Sequence, residues 1–499
     1  MQRLALAHAA SALALLVASC GARLEPEPGP LRRRPNIVFI LADDHAAHAI
    51  GAYGAKPAVT PHIDRIAAEG MRFESAFCGN AICAPARATL LTGTHSHVHG
   101  VIDNAARFDG TQPHFASALQ AAGYQTALVG KWHLKSEPTG FDHWEVFPDQ
   151  GQYYNPQLQS AAGTRRVEGY ASEVVTDLAL EWLEQRDSQR PFLLCLHHKA
   201  PHRSWEPGPK ELALFADEEL PEPGTLFDDF STRAAGAAAQ EMSVARDLTP
   251  FDLKLAKPTP TRPADLAAWS RAYDAENAAL AQQPLEGDAR TRWNFQRFLK
   301  DYLRCVAGVD TSVGRVLDWL DKRGLARDTL VIYASDQGFF LGEHGWYDKR
   351  WIYEEALRFP LVVRWPGVIA PGTTEERLVS GIDLAPTLCE LGGAAPLPRA
   401  QGMSLAPLLR GEAPATWRDA IYYRYYEYPE PHRVEPHYGL RSATHKLVHF
   451  PRLGSTELYD LRTDPHELHN LAADPLHAEL AARLDAQLLQ LAAQFGDRF

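Results

Sequence analysis

Four apolar runs in this chain end in the same way, and that shared ending constrains the fold more than any other feature. Residues 36–42 run into Asp43-Asp44, and residues 126–129 run into Gly130-Lys131-Trp132-His133. Residues 192–196 lead to His197-His198-Lys199-Ala200-Pro201-His202, and residues 329–334 lead to Ser335-Asp336-Gln337-Gly338. Amphipathic helical segments alternate with such runs from about Pro35 to about Gly393, the pattern of an α/β domain with a large, mixed, mostly parallel sheet sandwiched by helices. Ligands of open α/β sheets bind beyond the carboxyl ends of the strands, so these charged and imidazole groups are expected to gather at one edge. One site is implied.

The rhythm breaks between Arg203 and about Arg290, where Pro, Ala and mixed charge give no clear strand, and this stretch reads as an insertion beside the site. Helical periodicity resumes over residues 293–320 and stops at Lys322-Arg323-Gly324, a cationic last turn followed by glycine. From about residue 396 the texture changes. Short strands over 421–426, 437–441, 445–450 and 457–461, then a helix over 475–495, predict a smaller α+β subdomain carrying an antiparallel sheet. The expected organisation is an export segment over 1–20, a linker over 21–34, a catalytic domain over 35–395 and the subdomain over 396–499.

With 50 Lys and Arg against 62 Asp and Glu, the formal charge is -12, which argues against a broad basic surface for nucleic acid. An anionic substrate needs a local positive pocket. At the amino terminus, Arg3 precedes an apolar run over 4–16 and then Val17-Ala18-Ser19-Cys20, which has the form of a bacterial lipobox. The expectation is an exported protein, periplasmic or membrane-anchored, with a lipid on Cys20; ordinary signal cleavage nearby is the alternative. The six cysteines are scattered, with Cys195, Cys305 and Cys389 in core-like contexts, so no disulfide framework is indicated.

Adjacent carboxylates at a strand end repel one another unless something positive sits between them. For Asp43 and Asp44 a hard divalent cation is the simplest answer, and Asp336 with the side-chain oxygen of Gln337 extends the oxygen set. All-oxygen ligation favours Ca2+, with Mg2+ as the second choice, over zinc. A second constellation is Cys83-Ala84-Pro85-Ala86-Arg87 followed by Thr92-Gly93. It predicts a helix that starts at Cys83, with an amino-terminal dipole and Arg87 one turn on favouring an anion. Taken alone, the peptide fits either an activated cysteine nucleophile or a buried structural cysteine. His95, His97 and His99 are expected to pack, and the aromatic run over 422–428, with His432 and His437, either packs across strands or stacks on sugar rings.

Cys83-x-Pro85-x-Arg87 with Thr92-Gly93 resembles the signature of the type I sulfatases, members of the alkaline phosphatase superfamily. The other motifs follow in the family's order: Asp43-Asp44, Gly130-Lys131-Trp132-His133, Lys199-Ala200-Pro201-His202, and Ser335-Asp336-Gln337-Gly338 through Gly342-Glu343-His344-Gly345 to Lys349. Ala86 stands where the family usually has Ser, and Gln337 where many members have Asn. The resemblance implies that a formylglycine-generating enzyme oxidises Cys83 to Cα-formylglycine, whose hydrate attacks sulfur. It implies metal ligation by Asp43, Asp44, modified Cys83, Asp336 and Gln337. Cys83, Arg87, Lys131, His133, His202 and Lys349 become the catalytic set, and Lys131, His202, Lys349 and His344 the substrate-binding set. His202 protonates the leaving oxygen, and His133 takes the proton whose loss expels sulfate. The expected substrate is a sulfated carbohydrate, foremost N-acetylglucosamine 6-O-sulfate in glycosaminoglycan or mucin glycans. Other sugar or aryl sulfates, a phosphodiesterase or phosphonate hydrolase activity, and a non-catalytic glycan binder with unmodified Cys83 are the alternatives.

Overall fold

The computed structural model describes residues 34–257, 262–429 and 431–498; the expected export segment and Cys20 lie outside them. A ten-stranded sheet forms the centre. Its order is Thr373–Glu375, Met71–Phe73, Leu361–Arg364, Thr329–Ser335, Asn36–Ala42, Phe192–His197, Gln125–Lys131, His143–Phe147, Gln157–Ser160 and Gly163–Arg166. The five strands from Thr329–Ser335 to His143–Phe147 are mutually parallel. Antiparallel pairs flank them on both sides.

The central strands are apolar throughout because both of their faces are covered. Ile37, Phe39 and Leu41 enter one hydrophobic cluster, while Val38, Ile40 and Ala42 enter another on the opposite face. The same alternation divides Leu193 and Cys195 from Leu194 and Leu196. The second cluster includes the inward stripes of the helices Ala171–Gln185 and Gly287–Lys322. The five described cysteines are buried and free.

Strand register explains why the motif residues meet. Ala42 pairs with Ser335, Leu41 with His197, and Gly130 with His197, so the residues that follow each strand emerge at one level. Gly130 has φ 108, and a Cβ there would stand 1.9 Å from the His197 carbonyl oxygen. Only glycine lets the Gln125–Lys131 strand approach its neighbour and turn Lys131 into the site.

At the carboxyl end, the strands Ala420–Tyr425, His437–Ser442, His445–Phe450 and Ser455–Asp460 form an antiparallel sheet in sequence order. Tyr422, Leu440 and Leu447 pack with Leu484 and Leu488 of the Ala478–Phe495 helix, while Tyr423, Tyr425 and Val448 join the main core. Tyr422, Tyr423 and Tyr425 are therefore buried packing residues, which removes them from the sugar-stacking reading. His95 packs against Phe495 and Tyr422, and His99 bonds Thr89, in keeping with packing roles.

The insertion differs from its sequence-based description by containing a twenty-residue helix, Pro263–Gln282. Its buried stripe is thin, consisting of Asp265, Trp269, Tyr273 and Leu280, so the spacing is masked by alanine and charge. The helix expected over 293–320 extends over Gly287–Lys322.

Candidate active site

Asp43 and Asp44 leave the end of the Asn36–Ala42 strand in a turn where Asp44 has φ 68. The Asp44 N–H donates to Asp336 Oδ1 at 3.1 Å, which ties two strand ends together. Tyr302 braces the same turn, donating to the Asp44 carbonyl at 2.7 Å and accepting from the Ala46 N–H at 2.8 Å. Single oxygens of Asp43, Asp44 and Asp336 all lie within 4.8 Å of one another. The Gln337 amide reaches Asp44, and its Oε1 is buried without a donor. An orphaned buried acceptor beside three carboxylates fits a hard divalent cation, which takes oxygen ligands only.

Three cations surround these groups. Arg87 donates through Nε to Asp336 at 3.1 Å, through one terminal nitrogen to Asp43 at 3.2 Å, and through the other to the Lys131 carbonyl at 3.0 Å. It spans two carboxylates, whereas the helix-start reading had it facing a free anion. Lys131 Nζ pairs with Asp43 and donates to Gln150 Oε1 at 2.5 Å. Lys349 Nζ donates to Asp44 at 2.6 Å and lies 3.7 Å from Asp348.

The carboxylates titrate far apart. Burial raises every one of them, but Lys131, then His202 and Arg87, hold Asp43 well below the ordinary range. Burial lifts Asp44 to about 6 against the pull of Lys349, with Asp43 adding to the rise. Burial and the Asp43 charge lift Asp336 to about 8, despite Arg87.

Cys83 is the first residue of the Cys83–Thr92 helix, which ends at Gly93 with φ 69. Its Sγ lies 3.8 Å from Asp44 Oδ1, so residue 83 meets the carboxylate cluster directly. Burial, with Asp43 and Asp44 adding to it, pushes the Cys83 thiol up, even against Lys349. In the metal-free fold this disfavours a thiolate at an unmodified Cys83, so of the two readings of the peptide the buried cysteine is the one the geometry favours.

His202 Nε2 stands 3.7 Å from Asp44, and its Nδ1 is 2.6 Å from the Arg203 carbonyl oxygen. Burial, then Lys131 and Lys349, keep this imidazole neutral. His133 places Nε2 3.5 Å from Asp149 and leaves a buried Nδ1 without a partner. Burial and Lys131 lower His133 to about 4. A cleft of about 660 Å³ reaches His133 between Arg107, Lys135 and Trp144.

The sulfatase family model matches residues 35–394, and that of the N-sulphoglucosamine sulphohydrolase carboxyl-terminal region matches residues 342–494. The chain belongs to the sulfatase family. An N-acetylglucosamine-6-O-sulfatase of Bacteroides thetaiotaomicron is 42% identical, covering 97% of this chain and 90% of its own. The human N-acetylglucosamine-6-sulfatase is 28% identical, covering 79% of this chain and 67% of its own. A solved sulfatase structure holding its substrate D-glucosamine-2-N,6-O-disulfate superposes with a TM-score of 0.91 at 41% identity, covering 93% of this chain and 98% of that one.

The sulfatase fold brings Asp43, Asp44, Cys83, Arg87, Lys131, His202, Asp336, Gln337 and Lys349 into one contacting cluster. His344 takes a different place from the one expected. Its Nδ1 is 2.7 Å from Asp228, and its ring packs against Phe340, Trp346 and Tyr353. It braces the loop before Lys349 and makes no described bond to the carboxylate cluster. Sequence reading missed Gln150, Asp149, Tyr302 and Asp348. Gln150 and Asp149 follow a strand, His143–Phe147, that is not an apolar run, and Tyr302 is one inward residue of a long helix. Asp348 adjoins Lys349 and was open to detection as a like-for-like partner of the Asp43-Asp44 pair.

The raised acids make cation binding depend on pH in a defined direction. Both are ionised when a cation binds, whereas in the metal-free fold they keep protons up to about 6 and about 8. Metal-free stability from these two groups is complete below their unfolded value near pH 4 and is lost as pH rises through 6 and 8. The rise in Tm produced by millimolar Ca2+ is therefore expected to be larger near pH 8.5 than near pH 5.5. Scanning fluorimetry with and without chelator checks this; an equal or smaller shift at the higher pH contradicts it.

Proposed function

We propose that this sulfatase removes the 6-O-sulfate from N-acetylglucosamine or N-sulfated glucosamine units of glycosaminoglycan or mucin glycans. The observation that carries the substrate assignment is the near full-length similarity to a relative of that specificity, joined to the match with a structure holding a 6-O-sulfated glucosamine. The site supports it chemically.

Oxidised to Cα-formylglycine and hydrated, residue 83 would supply a hydroxyl for attack on sulfur, and Ca2+, with Mg2+ as the alternative, would supply positive charge for the anionic ester. Asp43, Asp44, Asp336 and Gln337 would hold the cation. With those carboxylates engaged, the ammonium groups of Lys131 and Lys349 would be free to bind sulfuryl oxygens, where negative charge grows in the transition state. Arg87 acts through the carboxylates it spans, fixing Asp43 and Asp336. His202 is oriented by the Arg203 carbonyl and presents Nε2 to the reacting groups. Arrival of the anionic ester raises its proton affinity, so Nε2 would take the proton of the attacking hydroxyl of residue 83 and pass it to the sugar oxygen as the S–O bond breaks. His133 keeps Nδ1 free to accept the proton of the remaining hydroxyl of residue 83, which expels sulfate and restores the aldehyde.

Two experiments test the reading. Aldehyde-bearing protein is expected to release sulfate from N-acetylglucosamine 6-sulfate and to leave the 3-O-sulfated sugar and matched phosphate diesters largely intact. Preference for either of those substrates sinks the assignment. His202→Ala is expected to lose about 10²–10⁴-fold in kcat on the sugar sulfate but less than about tenfold on 4-nitrophenyl sulfate, whose leaving group needs no proton. Equal losses on both substrates would remove the general-acid role.

A further inference from the structure

A second charged cleft lies on the outer side of the Gly287–Lys322 helix. Arg297, Lys300, Asp301 and Arg304 fall on one stripe of that helix, at the i, i+3, i+4 and i+7 positions. Tyr302, which holds the Asp44 turn, projects well away from this stripe. Across the cleft stands the Pro263–Gln282 helix of the insertion, carrying Arg271, Tyr273 and Glu276. The enclosed volume is about 350 Å³, and none of its lining residues belongs to the hydrolytic site.

Two of the four cations are fixed as a scaffold. The Arg304 side chain, 6% exposed, donates to Asp301 at 2.8 Å and to the Leu214 carbonyl at 2.9 Å. The Arg297 side chain, 2% exposed, lies 2.7 Å from Glu276 and stacks on Tyr273 and Trp293. Tyr273 donates to the same Asp301 at 2.6 Å, so the wall is rigid. Arg271 and Lys300 remain. Neither has an ion pair or hydrogen bond among the described residues, although Arg271 is exposed and Lys300 half-buried. Burial, and then repulsion by Arg304 and Arg297, depress Lys300 even though Glu276 and Glu218 act in the opposite sense. Glu276 and Asp301 pair with Arg297 and Arg304, which leaves Arg271 and Lys300 as the two cations without a described partner in a chain whose formal charge is -12. Against an overall negative charge, which repels a polyanion, these two cations offer it a local point of attachment.

We propose that this cleft is an exosite for the sulfated glycan that carries the substrate. Arg271 and Lys300 bind sulfate or carboxylate groups on a sugar unit other than the one being desulfated. Ala268 and Ala272, one turn apart, leave room for the ring between those charges. The proposal rests on the reading of the substrate as a unit of a polyanionic glycan. Its contribution is electrostatic, so it is set by released counterions and weakens with salt.

The test measures binding of a fluorescent heparin-derived octasaccharide, stripped of 6-O-sulfate, to the full protein. That probe offers the hydrolytic site nothing to remove. Arg271→Glu combined with Lys300→Glu is expected to weaken binding at least about tenfold at low salt and to flatten the salt dependence. Arg271→Glu alone, at an exposed position with no described contact, should cost about threefold or more. Arg271→Lys with Lys300→Arg should retain binding. Unchanged binding in the charge-reversed proteins overturns the proposal. So does displacement of the octasaccharide by an equal concentration of inorganic sulfate, which marks a small-anion site, or a loss confined to phosphatidylglycerol vesicles, which marks a lipid surface. Hydrolysis of N-acetylglucosamine 6-sulfate, measured in parallel on the unaltered protein, reports on the substrate assignment alone. Binding without that hydrolysis refutes the assignment and leaves the cleft standing.

Discussion

Three buried carboxylates that share a pocket repel one another, and the strand-end site is organised around cancelling that repulsion. Arg87, Lys131 and Lys349 each contact at least one of Asp43, Asp44 and Asp336, so once all three carboxyls are ionised these cations match them in number. Such a set is sensitive to losing any member, because the partner left behind is an uncompensated buried charge. It is also poised. A divalent ion added to a balanced cluster leaves an excess of two positive charges, which suits an anionic sulfate ester. In the proposed mechanism, the lysines that hold carboxylates in the metal-free fold are the same groups that bind the sulfuryl oxygens.

The fold delivers this cluster through register. Parallel neighbours on both sides of the Asn36–Ala42 strand bring Ser335 and His197 level with its last residues, and Gly130 admits Lys131 from the next strand but one. The Cys83–Thr92 helix then places residue 83 against Asp44, with Arg87 returning from the following turn to clamp Asp43 and Asp336. Charge, reactive residue and acid–base groups thus come from separate parts of the chain and meet because strand ends are aligned.

Much of this is legible in the sequence because the informative residues sit where periodicity stops. The four apolar runs, the helix from Cys83 to Gly93 and the carboxyl-terminal sheet each announce themselves by local pattern. Asp43, Asp44, Asp336 and Gln337 are readable for the same reason, since charge at the end of a buried strand needs an explanation. Contacts made across the fold are less readable. Gln150 beside Lys131 and Tyr302 beneath Asp44 depend on tertiary placement that no spacing encodes. His344 misleads because its motif position is close to Lys349 in sequence, yet the αL turn at φ 56 and the Asp228 contact direct its ring into an aromatic cluster. The Tyr422–Tyr425 segment is ambiguous in sequence, since aromatic residues suit packing and sugar stacking alike; Tyr422, Tyr423 and Tyr425 are taken up by packing on two faces.

Metal content per chain tests the central claim most directly. After dialysis against buffer containing Ca2+ and removal of free ions, plasma mass spectrometry should find about one divalent ion per molecule, and none in folded Asp336→Asn. A folded wild-type protein that holds no ion, or an Asp336→Asn variant that holds as much as wild type, would contradict the account.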